Sequence, residues 1–203
     1  GMAVILDVVY NHATGVHPYA AMYWDGTNNK TASNNPWFNV DAPHQWSVYH
    51  DWNHSNPMVR EHVKRNLTYL MTEYKIDGFR FDLTKGFTQT AGESYDQKRV
   101  DWLKEYNAHI QSVDDDAVMI CEHFVDDENW ELGKDGIKVW RNMNHPYTKA
   151  MKRDMSQADF TGTTNTFDGS SGMMGDWQTF GQYVGYQESH DEQRTNYEGQ
   201  WDY

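Results

Sequence analysis

A single cysteine, Cys121, stands among the 203 residues, so no internal disulfide can form. The covalent staple of many small exported domains is thereby excluded. Cations are scarce too: 17 Lys and Arg face 30 Asp and Glu, for a formal net charge of −13. No run of five Lys or Arg occurs, and a phosphate-binding surface needs clustered cations, so no nucleic-acid partner is expected. No apolar stretch reaches the ~18 residues of a membrane-spanning helix, so no membrane partner is expected either. The opening Gly1-Met2-Ala3-Val4-Ile5-Leu6 has no basic leader and enters a strand at once, unlike a signal peptide. Internal repeats and low-complexity segments are also missing.

What the chain has in quantity is acid and aromatic rings. The acidity serves solubility and suits a neutral substrate, which needs no electrostatic steering. The 9 Trp, 13 Tyr and 8 Phe provide cores first, and their faces also suit the C–H-rich faces of sugars.

An apolar run at 3–9 reads as a strand buried on both faces, as in a parallel sheet. Residues 10–56 are rich in Asn, His, Trp and Pro without sustained period, a length that marks a functional insertion or small subdomain. Asn56 and Pro57 then supply an N-cap and first helical residue, and Val59, Val63, Leu67, Leu70, Met71 and Tyr74 form one stripe. Further strands are expected at 78–82, 117–121, 137–140 and 183–187, with helices at 95–112 and 146–155 and a loop at 161–175. Such alternation argues for parallel βα units.

Polar groups recur at the strand ends: Asp7, Asn11 and His12 after the first, Arg80 and Asp82 on the second, Glu122 after the third, His190 and Asp191 after the last. In a parallel α/β barrel those ends share one face, where active sites lie. Converging carboxylates suit glycoside hydrolysis, in which one carboxyl is protonated to assist the leaving oxygen and another is ionised. Arg80 and Asp82 are two apart on a strand and so share a face, where the guanidinium would hold Asp82 ionised. Partial desolvation of Glu122 would suit it to acid use.

The strings DVVYNH (residues 7–12), GFRFDLTK (residues 78–85), Glu122 after a strand, and SHD (residues 189–191) resemble, in order, the four sequence regions of the α-amylase family, glycoside hydrolase family 13. The resemblance implies a retaining mechanism with Asp82 as nucleophile, Glu122 as acid/base and Asp191 as supporting carboxylate. It implies that His12, Arg80 and His190 bind the sugar, together with Lys85, although Gly86 stands where many members have His. The implied partner is an α-glucan oligo- or polysaccharide, cleaved at α-1,4 bonds as in starch or maltodextrin, or alternatively at α-1,6 bonds, transferred to an acceptor, or merely bound. The implied fold is a (β/α)8 barrel of which this chain covers about strands 3 to 7, with residues 1–9 and 57–203 in the barrel and 10–56 as an insertion subdomain after strand 3. Because such a barrel typically takes ~250 residues, the chain is expected to be an internal piece of a longer enzyme, unstable or inactive alone, and its parent secreted, periplasmic or cell-surface rather than cytoplasmic.

Asn11 in this family often ligates a structural Ca2+, for which Asp25, Asp41 and Asp51 are possible co-ligands; no organic cofactor is implied. His17, His44, His50 and His54 fit no zinc spacing and read as packing or surface residues. Trp24, Trp37, Trp46 and Trp52 read as packing before sugar stacking, Cys121 as buried and inert, and Asp114-Asp115-Asp116 as a solvated turn.

Overall fold

The computed structural model describes residues 1–142, 183–186, 188–191 and 194. In chain order the elements are β1 (Ile5–Val8), β2 (His12–Ala13), α1 (Pro18–Met22), β3 (Trp24–Asp25), β4 (Lys30–Thr31), β5 (His50–Asp51), α2 (Pro57–Tyr74), β6 (Gly78–Phe81), α3 (Gln97–Val113), β7 (Val118–Cys121), α4 (Asp126–Gly133), β8 (Lys138–Asn142) and β9 (Tyr183–Tyr186), with a 3-10 turn at Thr84–Gly86. They fall in two compact units, Gly1–Lys138 and Val139–Tyr203.

In the first unit β6 lies between β1 and β7 and pairs parallel with both, Asp7 opposite Arg80 and Arg80 opposite Ile120. The strands alternate faces, as the two-residue period requires. Val8, Phe79, Phe81, Met119 and Cys121 go into the main core with Val63, Leu67, Met71, Leu103, Tyr106 and Ile110 of the covering helices. Each such side chain, fully buried, contributes ~1.5–3 kcal/mol. Gly78 permits the close approach of β7, since a Cβ there would meet the Val118 carbonyl oxygen at 2.5 Å. Helix α2 starts as its sequence directs: the Asn56 side chain accepts from Met58 N–H at 3.0 Å and Pro57 takes the first turn. It ends at Lys75 in the left-handed conformation, with φ of 57°.

Two sequence expectations change. The run at 3–9 is not buried on both faces: Ile5 of β1 is 40 % exposed and Val9, just past its end, 49 %, and β6 is the one strand partner of β1 among the described residues. Helix α4 was not expected, since eight residues opening Asp126-Asp127-Glu128 carry too little apolar period; the acids instead suit a helix N-terminus. The helix expected at 146–155 and the loop at 161–175 lie outside the described residues.

The segment from 10 to 56 holds two small antiparallel pairs, β2 with β5 and β3 with β4. Its core is Ala20, Phe38 and Trp52 packed on Val59 of α2, with Tyr19 and Trp37 stacked at 4.3 Å beside them. Trp37 and Trp52 are thus packing residues, and His17 and His62 lie edge-on or stacked against Trp52. In the second unit β8 and β9 pair parallel, and Trp140 stacks on Tyr186 at 4.3 Å.

Candidate active site

The register that buries Phe79, Phe81 and Cys121 on one face puts Asp7, Arg80, Asp82 and Glu122 together on the other. Arg80 is the hub. Its Nη1 donates to Asp7 Oδ1 at 2.9 Å and Asp82 Oδ1 at 2.8 Å, and its Nη2 lies 3.0 Å from Glu122 Oε1. The Arg80 side chain is 4 % exposed and that of Glu122 9 %, whereas Asp82 keeps 16 % and Asp7 55 %, so the cluster is walled on one side and open on the other. Burial works against the Arg80 charge, but the bond it donates to Asp7 and the fields of Glu122, Asp7 and Asp82 outweigh it and hold the guanidinium above its ordinary pKa. The sequence placed Arg80 beside Asp82 alone; the structure gives it three carboxylates.

Beyond Asp82 the backbone turns sharply. Leu83 has φ of 46°, a left-handed conformation that costs a branched residue on the order of 1–3 kcal/mol. The turn aims Leu83 N–H at Glu122 Oε2 at 3.0 Å, and Thr84 N–H at the Glu122 carbonyl oxygen at 2.9 Å. Glu122 is therefore gripped at its side chain and its backbone by the turn that follows Asp82.

His12 is half-buried on the same side. Burial lowers its pKa, and the charges of Asp82 and Asp51 oppose that shift without reversing it. Lys85 is 6 % exposed, with its ammonium 4.0 Å from the Trp46 ring centre and 3.4 Å from Glu93 Oε2. Cys121 is fully buried and its thiol is pushed up to about 12 by burial, which makes it inert as expected. His190 and Asp191 belong to the second unit, where both are exposed and their side chains lie 3.3 Å apart. The structure thus brings Asp7, Arg80, Asp82, Glu122 and His12 into one neighbourhood, and describes the His190–Asp191 pair by itself.

Asn11 has the features of an oxygen ligand. It is fully buried, its Nδ2 donates to the Trp46 carbonyl at 3.0 Å, and its Oδ1 accepts no hydrogen bond. Leaving such an oxygen unsatisfied costs about 1–3 kcal/mol, and a hard cation such as Ca2+ takes oxygen donors of this kind. Gly86 makes the room, since a Cβ there would lie 1.9 Å from that Oδ1. The co-ligands fit less well. Asp25 accepts from Thr27 and Asn28, Asp41 pairs with Lys30 at 2.8 Å, and Asp51 accepts from His44 at 3.0 Å and Asn39 at 2.6 Å. Among the described residues, the group of His, Cys or acidic side chains close enough to share an ion is Asp114, Asp115 and Asp116, an exposed turn remote in sequence from Asn11.

Sequence reasoning missed the residues behind the site: Thr84, Arg99, His123 and Glu128. Arg99 and Glu128 are wholly buried and bonded at 2.8 and 2.5 Å across 29 positions, a separation no short motif encodes. The one available signal was His123 itself, a titratable residue immediately after Glu122.

No family model matches the chain. It is 28% identical over 173 residues to alpha-amylase 3 of Dictyoglomus thermophilum, covering 77% of this chain and 33% of that protein. It is 26% identical over 190 residues to a glycogen debranching enzyme of Escherichia fergusonii, covering 84% of this chain and 26% of the relative. Its homologues are enzymes of the α-amylase family. Among solved structures, the α-amylase of Geobacillus thermoleovorans complexed with acarbose matches with a TM-score of 0.51 and 25% identity, over 74% of this chain and 32% of that one. The chain thus spans about a third or less of the family relatives it matches.

Proposed function

We propose that the protein carrying this chain is a retaining glycoside hydrolase that cleaves α-1,4 bonds of starch or maltodextrin-type glucans. The observation that carries the reading is the Arg80 guanidinium, which holds Asp82 and Glu122 side by side at an opening while Asp7 completes the cluster. Likeness to an α-amylase, and to one solved with acarbose, supports an α-glucan as the substrate.

In the proposed reaction the Asp82 carboxylate bonds to the anomeric carbon as the bond to the leaving oxygen breaks, and the Glu122 carboxyl passes its proton to that oxygen. Glu122, now a carboxylate, takes a proton from water, whose oxygen displaces Asp82 and frees the sugar. Arg80 stays charged throughout and keeps Asp82 anionic before attack. His12, His190 and Asp191 are proposed to bind the sugar at the cleavage point, and Lys85, held over Trp46, to bind it on the acceptor side. Asn11 is proposed as an oxygen ligand of a structural Ca2+, which when bound supplies bracing beside the turn at Thr84–Gly86 and no chemistry.

The parallel βα order supports reading the chain as about strands 3 to 7 of a (β/α)8 barrel, with 1–9 and 57–203 in the barrel and 10–56 as the inserted subdomain. A second reading, α-1,6 cleavage, is favoured by the likeness to a debranching enzyme over 84% of the chain. Reducing-sugar release from soluble starch and from pullulan by the full-length protein separates the readings. Release from starch with maltodextrin products supports α-1,4 cleavage. Release of maltotriose from pullulan selects α-1,6 cleavage, longer oligosaccharides from maltotriose select transfer, and binding without release leaves a glucan-binding protein.

A further inference from the structure

Behind Glu122 lies a second, closed cluster of charges. His123 is 1 % exposed; its Nδ1 is 2.9 Å from Thr84 Oγ1 and its Nε2 2.8 Å from Glu128 Oε2. The Thr84 hydroxyl has one proton, and it lies 3.0 Å from the Glu122 carbonyl oxygen, which can only accept. If that proton goes to the carbonyl oxygen, Thr84 Oγ1 faces His123 as an acceptor and His123 Nδ1 carries the hydrogen between them. Glu128 fixes the other nitrogen. Its oxygens accept from Arg99 Nε at 2.8 Å, Arg99 Nη2 at 2.5 Å and the Asp96 N–H at 2.6 Å, all of them donors, so the carboxyl is ionised. His123 Nε2 therefore donates as well.

We infer that His123 is a fully protonated imidazolium that clamps Thr84, and through it the Glu122 backbone, making it a positioning residue for the acid/base. This rests on the reading of Glu122 as acid/base. The surroundings support the charge. Glu128 reaches His123 from α4 and ties it to Arg99 of α3, and its pKa lies below the ordinary value because the bonds from His123 and Arg99 outweigh its burial. The Cys121 thiol of β7, which also borders Thr84, stays neutral. Arg99 extends the clamp by donating to the Lys85 and Ser94 carbonyls at 2.8 and 2.9 Å, so the turn from Asp82 to Lys85 is held from beneath along its length. Leu83 is kept in its left-handed conformation, with its N–H on Glu122, by the same grip.

The test has two arms on the full-length protein. In the first, 15N spectra of histidine-labelled protein at neutral pH, with His123 assigned by its loss in His123→Gln, report both ring nitrogens. Two protonated nitrogens are expected; a neutral single-tautomer ring overturns the inference whether or not the protein hydrolyses any glucan. In the second, Thr84→Val, His123→Gln and Glu128→Gln are compared with Thr84→Ser. The expected result is a fall in kcat of about 10–100-fold with KM little changed, as when a supporting partner of a functional side chain is lost, restored by the hydroxyl in Thr84→Ser. Faster amide exchange at Thr84 is expected in His123→Gln and Thr84→Val. Unchanged exchange there, or kcat unaffected in folded variants of an active enzyme, overturns the positioning role. A protein inert on every α-glucan with Thr84 exchange behaving as expected refutes the hydrolase reading and leaves the clamp standing.

Discussion

Two arginines sit in adjacent pieces of the same unit and do opposite work. Arg80 is one cation among three carboxylates, and the cluster opens through Asp82 and Asp7. Arg99 faces a single carboxylate, Glu128, which His123 also holds, and none of the three side chains reaches solvent. Surplus negative charge at an opening can accept a substrate and a proton; a closed, saturated network can only hold shape. Under the proposed function, the difference teaches that ion pairing alone does not mark the site, and that charge left over and exposed does.

If this contrast is right, the two clusters fail differently. Asp82→Asn and Glu122→Gln should each cost the full-length protein at least about 10²–10⁴-fold in hydrolysis, while their thermal midpoints stay near that of the parent. A large drop in midpoint would erase the distinction. Glu128→Gln should strike stability as well, adding to its smaller loss in kcat a cost of about 3–5 kcal/mol from leaving Arg99 and His123 buried without their anion, read by urea unfolding.

His54 sharpens the contrast, because it is a closed site that excludes charge. It is wholly buried, with Nδ1 2.7 Å from the Tyr106 hydroxyl and Nε2 2.7 Å from the Tyr10 carbonyl oxygen. Nε2 thus donates and Nδ1 accepts, the pattern of a neutral ring, and burial lowers its pKa from 6.5 to about 4. The unfolded chain binds that proton more readily, so the contribution is complete above pH 6.5 and is lost as pH falls from there toward 4. The loss amounts to about 3 kcal/mol at pH 4. Urea unfolding at pH 7, 5.5 and 4 should show this decline, flattened in His54→Gln. The smallest effect is expected at Gly86→Ala, whose methyl would collide with Asn11 Oδ1 and cost about 1–3 kcal/mol. If that oxygen serves an ion, a chelator should lower the thermal midpoint of the parent and do little to the variant.

The open cluster was the legible part of the sequence. Asp7 and Arg80 lie on short strands whose two-residue period fixes their faces, Asp82 follows the second of these at once, and Glu122 follows an apolar run, so local pattern sufficed to group them. The stripe of α2 was legible for the same reason, with Asn56 and Pro57 marking its start. The closed cluster was not, because Thr84, Arg99, His123 and Glu128 meet through tertiary folding and each alone looks like an ordinary polar residue. Helix α4, which brings Glu128, is too short and too acidic to announce itself by periodicity. The edge exposure of β1 depends on which strands flank it, and its own residues do not encode that.

The central claim is that Asp82 attacks the sugar, and trapping the attack tests it most directly. A 5-fluoro-α-glucosyl fluoride, which slows breakdown of a glycosyl-enzyme more than its formation, is incubated with the full-length protein and the digest is mapped by mass spectrometry. A single glucosyl adduct on Asp82, absent in Asp82→Asn, is the expected result. Turnover of starch with the adduct on another carboxylate, or with inverted product and no adduct at all, would contradict the account.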